Sequence, residues 1–221
     1  GTFVVRSIHN PFGLGTNVLF LGGENPASVR AAAAKFLDTL KPGHPLAAGW
    51  TMAFETDRRG QPVSEEAIRA AVERVDTAMK FKNGRSLISG AAGMAHRYYD
   101  TGQEGWAELF KVHIQKHRDM GALGTDMHMA LYDAISMWEL IEESPVFSDA
   151  DRLSIANHFL YLLRSEEGCM HRFFRSGTER QGVRHNHQTL PGLACLFGGR
   201  YFKLGYGLPE ADEWMRAGKA L

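Results

Sequence analysis

The sequence predicts a mainly α-helical protein, an incomplete α/α toroid of helical hairpins preceded by a small α/β module. Three observations predict it. From about residue 63 onward, apolar residues recur at helical spacing in segment after segment. Short loops join those segments, which implies antiparallel neighbours. Glycines (Gly168, Gly177, Gly182, Gly198, Gly199, Gly205 and Gly207) fall between or at the ends of the late segments, where a toroid gathers its substrate-facing loops, which favours a toroid over the alternative of a simple helix bundle. The α/β module is expected over residues 1–45 and the helical domain over 46–221.

The elements follow in order. Residues 2–8 are β-rich and read as a strand. Residues 9–17 hold Pro11, Gly13 and Gly15 and read as a loop. A short buried strand over 18–21 closes on Gly22 and Gly23. Asn25 before Pro26 supplies an N-cap and a first helical residue, and Val29, Ala32, Ala33, Phe36, Leu37 and Leu40 follow at helical spacing. Ser64 caps the next helix, whose first turn places Glu65 and Glu66 at the positive end of its dipole. Ile68, Ala71, Val72, Val75 and Met79 form its apolar stripe, and Asn83-Gly84 ends it. Six further helices are expected at roughly 85–99, 103–118, 125–143, 149–166, 188–198 and 209–221. Ser148 and Asp151 resemble a capping box at the start of the fourth of these.

Composition excludes several classes of function. The 25 Lys and Arg balance the 25 Asp and Glu among 221 residues, which argues against sequence-independent nucleic-acid binding. No apolar run is long enough to span a membrane. Cys169 and Cys195 form no disulfide framework; they read as two buried thiols, with a single pairing as the alternative. The first and last residues lie inside a strand pattern and a helix pattern, so the chain reads as a segment truncated at both ends of a longer protein.

Most motif matches have a plain structural reading. Gly13-Leu14-Gly15 precedes a strand, the wrong order for a dinucleotide loop, and Leu21-Gly22-Gly23 lacks the lysine of a phosphate loop. His113 and His117 have metal-ligand spacing, but no Glu stands between them and their neighbours are cationic, so they read as a solvated helix face. His185 and His187 lack the further ligands of a metal set. No metal and no cofactor is expected. There is no Gly-x-Ser-x-Gly elbow, and Cys195 sits in an apolar helix.

The segment Arg184-His185-Asn186-His187-Gln188-Thr189 is the most informative. It places hydrogen-bonding side chains in a row just before an apolar helix. It reads either as an elaborate helix start or as a carboxylate-reading site, where amide and imidazole donors join a helix N-terminus. Downstream, Arg200, Tyr201, Lys203 and Tyr206 add aromatic and basic groups on what reads as a glycine-rich loop suited to sugar rings.

The helical region, with Asn186-His187-Gln188-Thr189 before a Gly/Ala-rich helix, resembles the toroid domain of the heparinase II/III-like and alginate-lyase-like polysaccharide lyases. The resemblance covers roughly residues 64–221. The first forty or so residues resemble a small α/β module found before catalytic domains in polysaccharide-degrading enzymes. The lyase resemblance implies β-elimination on a uronic-acid polysaccharide, with Asn186 and His187 as the catalytic pair. Arg184, His185, Gln188, Tyr201 and Tyr206 would then bind substrate. A second proton-transfer Tyr would lie beyond Leu221, and the spacing of Tyr201 and Tyr206 does not match it. The implied partner is an acidic polysaccharide and the implied location periplasmic or secreted.

Two other classes stay open. One is an α/α-barrel glycoside hydrolase, which needs paired carboxyl groups; Asp126, Asp133, Glu139, Glu142 and Glu143 stand near Trp138 and His128, each also readable as a solvated helix carboxylate. The other is a non-catalytic carbohydrate-binding or scaffold segment.

Overall fold

A computed structural model describes residues 2–40, 50–55, 63–121, 127–165, 168–169 and 186–220. The chain is mainly helical and carries a small three-stranded antiparallel sheet. Strand β1 (Phe3–Ile8) lies in the middle, between β2 (Val18–Gly23) and β3 (Met52–Glu55). Val5 faces Leu21 on one side and Ala53 on the other, and it is fully buried. The sheet thus takes its third strand from beyond residue 45.

The loop from β1 to β2 is held by one side chain. Asn10 adopts a positive φ of 41°. Its Oδ1 accepts from the Gly15 amide at 2.6 Å while its Nδ2 donates to the Leu204 carbonyl at 2.5 Å. Asparagine tolerates left-handed backbone better than most residues, and here it also ties the sheet to a late helix.

Helix α1 (Pro26–Leu37) starts as its sequence dictates, with the Asn25 side chain accepting from the amides of Ala27 and Ser28. Its apolar stripe behaves differently from expectation. Ala32 is buried, but Val29 and Leu37 are exposed, because among the described elements α1 packs chiefly on β1 and β2. The same holds on α2 (Glu65–Lys80): Ala71 and Val75 are buried, Ile68 and Val72 are exposed. Ser64 caps α2 through the Ala67 amide.

Helices α3 (Gly84–Thr101) and α4 (Glu104–Asp119) form a hairpin turned by Gly102 in the left-handed region. A 3-10 turn at Met127–Met129 leads into α5 (Leu131–Ile141). Helix α6 (Asp149–Arg164) opens on a full capping box between Ser148 and Asp151. Helix α7 (Asn186–Tyr206) and α8 (Ala211–Lys219) complete the set. The core lies among α3 to α8. Trp138 stacks on Phe110 at 5.5 Å and meets Phe147 edge-on at 5.0 Å, and all three rings are buried.

Several late glycines have a packing role rather than a loop role, while Gly207, with φ of 64°, follows α7 as a turn glycine and Gly177 and Gly182 lie outside the described residues. The region from Arg200 to Tyr206, expected as a loop, continues α7. Gly198 and Gly199 lie inside that helix and are buried. A Cβ added at Gly218 would lie 2.7 Å from the Gly192 carbonyl oxygen, so α7 and α8 cross backbone to backbone. Gly218→Val is expected to destabilise by about 1–3 kcal/mol through forced separation of these helices. A thermal midpoint equal to that of the parent protein would contradict this packing.

Candidate functional site

The expected catalytic pair sits at the start of α7. Asn186 and His187 are its first two residues, and both side chains are exposed. Arg184 and His185 lie outside the described residues. Gln188 is buried, 4% exposed, so it points into the protein rather than toward a substrate. Pro191 lies within the helix and has no N–H to give the His187 carbonyl, which leaves the first turn less tightly tied to the ladder.

His187 has a partner that sequence spacing did not reveal. Its Nδ1 lies 3.2 Å from Nε2 of His128, which comes from the 3-10 turn and is buried. One imidazole must donate to the other. If His128 donates, the outer Nε2 of His187 carries a proton and can act as an acid. If His187 donates, that Nε2 presents a lone pair and can act as a base. A single hydrogen bond therefore couples the protonation of a buried ring to that of an exposed one.

Tyr201 and Tyr206 belong elsewhere. Both are on α7, at its far end, about 21 Å (Tyr201) and about 28 Å (Tyr206) along the axis from His187 at about 1.5 Å per residue. Tyr201 is buried, not displayed on a loop. Its hydroxyl accepts from Trp138 Nε1 at 2.9 Å and donates to Glu142 Oε2 at 2.7 Å. The Tyr206 hydroxyl lies 3.4 Å from it. Burial, with the negative charge of Glu142 close by, raises the Tyr201 hydroxyl well above the usual tyrosine range.

Tyr201 lines a cavity of about 400 Å³ between β1, α5 and α7, together with Arg6, His9, Glu139, Glu142 and Arg200. The carboxylates here are not a solvated helix face. Glu142 is 8% exposed and Glu143 1%. Arg6, reaching from the central strand, donates to Glu143 Oε2 at 2.8 Å and to the Glu139 carbonyl at 2.7 Å. Arg200 pairs with the Glu139 carboxylate. Glu142 has no such cation on its carboxylate. Burial, reinforced by Glu143, pushes it up to about 8, so it holds a proton at neutral pH. Burial also raises Glu139 and Glu143, against the pull of their arginines.

Of the other hydrolase candidates, Asp126 lies outside the described residues. Asp133 is at the surface, 3.3 Å from His96.

The His113 and His117 expectation is overturned. Both are buried rather than solvated. His113 Nδ1 bonds the Leu109 carbonyl at 2.7 Å, and burial lowers its affinity for a proton. His117 Nδ1 lies 2.8 Å from His158 Nε2. Burial, then the proximity of His117 and Arg118, drives His158 down to about 3. Cys169 and Cys195 are both buried, and burial pushes the Cys195 thiol up to about 12. Such a thiol is no nucleophile. Among the described residues, no three His, Cys, Asp or Glu gather as a metal set, and no helix is long and apolar enough to cross a membrane.

Comparison with protein-family models, curated proteins and solved structures finds no match to this chain.

Proposed function

We propose that the protein is a polysaccharide lyase-like enzyme that cleaves uronic-acid-containing chains by β-elimination, with its helical hairpins forming part of an α/α toroid. The observation that carries this reading is the contact between exposed His187 and buried His128, beside exposed Asn186 at the amino end of a 21-residue helix. β-Elimination needs three things at once: a base for the C5 proton, donors for the charge that spreads onto the carboxylate, and a proton for the leaving oxygen. Asn186 Nδ2 and the positive end of α7 supply donors where negative charge develops. His187 supplies a nitrogen whose proton content His128 can set.

The hydrolase alternative draws on Glu142, a carboxylic acid still protonated at neutral pH inside a cavity. It needs a second carboxylate as base or nucleophile. Glu139 and Glu143 are each already paired with an arginine, which weakens them in that role.

The products separate the classes. Incubation with alginate, hyaluronan, chondroitin and heparan-type chains is expected to yield, from at least one, an unsaturated uronide absorbing in the near ultraviolet. New reducing ends without that absorbance would make the protein a hydrolase. No product from any of them would leave it a binding or scaffold segment.

A further inference from the structure

We propose that the cavity between β1, α5 and α7 is a binding site for a neutral sugar ring, separate from the catalytic site at the start of α7. The inference stands independently of the lyase reading, because the two places are about 20 Å apart along α7.

Size and wall chemistry come first. About 400 Å³ falls within the usual range for a small-molecule site and exceeds what one or two waters need. Ile8, Pro11, Leu140 and Leu204 give it apolar surface for the ring's C–H faces, and the polar groups converge between them.

Charge is the second argument. Arg6 neutralises Glu143, Arg200 neutralises Glu139, and Glu142 is held in its acid form at neutral pH. The cavity is therefore close to neutral while rich in hydrogen-bonding groups. An anionic ligand would meet two carboxylates already satisfied by Arg6 and Arg200, the arginines lining it among the described residues. A cationic ligand would meet two arginines. A polyhydroxyl ring meets neither penalty, since each hydroxyl both donates and accepts.

The third argument is an unfilled acceptor. His9 Nε2 faces the Gly205 carbonyl at 3.3 Å, so Nε2 carries the proton and Nδ1 is left as the lone-pair nitrogen. Nδ1 is buried and makes no hydrogen bond among the described residues, and His9 lines the cavity. A buried polar atom without a partner carries an uncompensated desolvation cost, which a ligand hydroxyl would recover. Glu142, whose Oε2 accepts from Tyr201, supplies a donor as a carboxylic acid.

The experiment is titration of the protein with methyl glucoside, methyl galactoside and methyl mannoside, followed by calorimetry or saturation-transfer NMR. One of these is expected to bind at a single site at pH 6.5. Ser136→Trp, which fills the cavity from α5, is expected to abolish binding. Above pH 8 the site should weaken as Glu142 ionises, by about tenfold at pH 9, since only the protonated fraction is competent. The groups facing Glu142 are Glu139 and Glu143 from its own segment, Arg6 from β1, Arg152 from α6, and Tyr201 and Tyr206 from α7. Both tyrosines are raised above their ordinary value and remain neutral there. Glu142→Gln keeps a neutral donor, so it should bind comparably and lose the pH dependence.

Absence of binding by all three glycosides overturns the proposal. So does binding that survives Ser136→Trp, or tighter binding of glucuronate or glucosamine than of any neutral glycoside. Loss of lyase activity in a His187 variant with sugar binding intact would leave this site standing alone.

Discussion

Stability is expected to peak at mildly acidic pH and to fall on both sides, with Glu142 setting the alkaline limb and His158 the acid limb. The Glu142 carboxyl rises from 4.5 to about 8 on folding, so the folded state holds a proton that the unfolded chain releases. Its contribution is complete below pH 4.5 and is lost as pH rises through about 8. His158 falls from 6.5 to about 3, so the unfolded chain takes up a proton that the folded state refuses. Its contribution is complete above pH 6.5 and is lost as pH falls toward 3. The two oppose each other between 4.5 and 6.5, which leaves the maximum near that window. Each group contributes of order 5 kcal/mol at 1.36 kcal/mol per pKa unit, of which about 2 kcal/mol shows on each limb outside the window where the two cancel. Glu139 and Glu143 deepen the alkaline limb, and His113 deepens the acid one, by the directions of their shifts.

Denaturant unfolding at a series of pH values checks this. Glu142→Gln should flatten the alkaline limb and be more stable than the parent at pH 8. His158→Gln, which can still bond His117, should flatten the acid limb. Parallel profiles for the parent and Glu142→Gln would show that the buried carboxyl is not what the pH dependence reports.

The second large effect concerns rate. His187→Ala is expected to lower the rate of elimination by about 10²–10⁴, the usual contribution of a positioned acid or base. Asn186→Ala is expected to cost about 10²–10³, the loss of one preorganised donor at a developing oxyanion. The exposed Asn186 side chain can be removed without moving the thermal midpoint, whereas His187→Ala also takes a hydrogen-bond partner from buried His128 and is expected to cost about 1–3 kcal/mol. His128 touches His187 and not the outer face, so it is a positioning residue. His128→Phe should change the pH dependence of the rate as well as its size, because it breaks the coupling between the two rings. A His128 variant with a lower rate but an unshifted pH profile would reduce that contact to packing.

The helices were legible wherever the cap and the stripe agreed. Ser64, Asn25 and the Ser148–Asp151 box start helices as their side-chain chemistry requires. Asn83 was read as a stop, but its side chain accepts from the Ser86 amide and it starts α3 instead. The late glycines misled in a definite way. A glycine between apolar residues marks a loop or a close helix crossing, and local sequence does not separate the two. Gly199 and Gly218 are crossings, as the backbone atoms within 3 Å of a built Cβ show.

The site was partly legible. Asn186 and His187 stood out because six polar side chains in a row before an apolar helix are unusual, and both are exposed at that helix start. Gln188 and Tyr201 were misplaced because α7 begins earlier and ends later than its glycines imply. His113 and His117 carried a usable signal: with Trp106, Phe110 and Ile114 they occupy one helical face, and all five are buried. The cationic neighbours Lys111, Lys116 and Arg118 lie on other faces and obscured it. The pairings of His128 with His187 and of Glu142 with Tyr201 span 59 residues each. No local pattern encodes contacts of that range, so only the fold reveals them.

One comparison tests the central claim most directly. A uronate polysaccharide and the same polymer with its carboxyl groups reduced to hydroxymethyl groups differ only in what makes the C5 proton acidic. The account predicts near-ultraviolet product from the acidic polymer and a rate at least about 10²-fold lower on the reduced one, since the stabilised carboxylate is then missing. Equal cleavage of both polymers would contradict β-elimination at a uronate and with it the role given to Asn186 and His187.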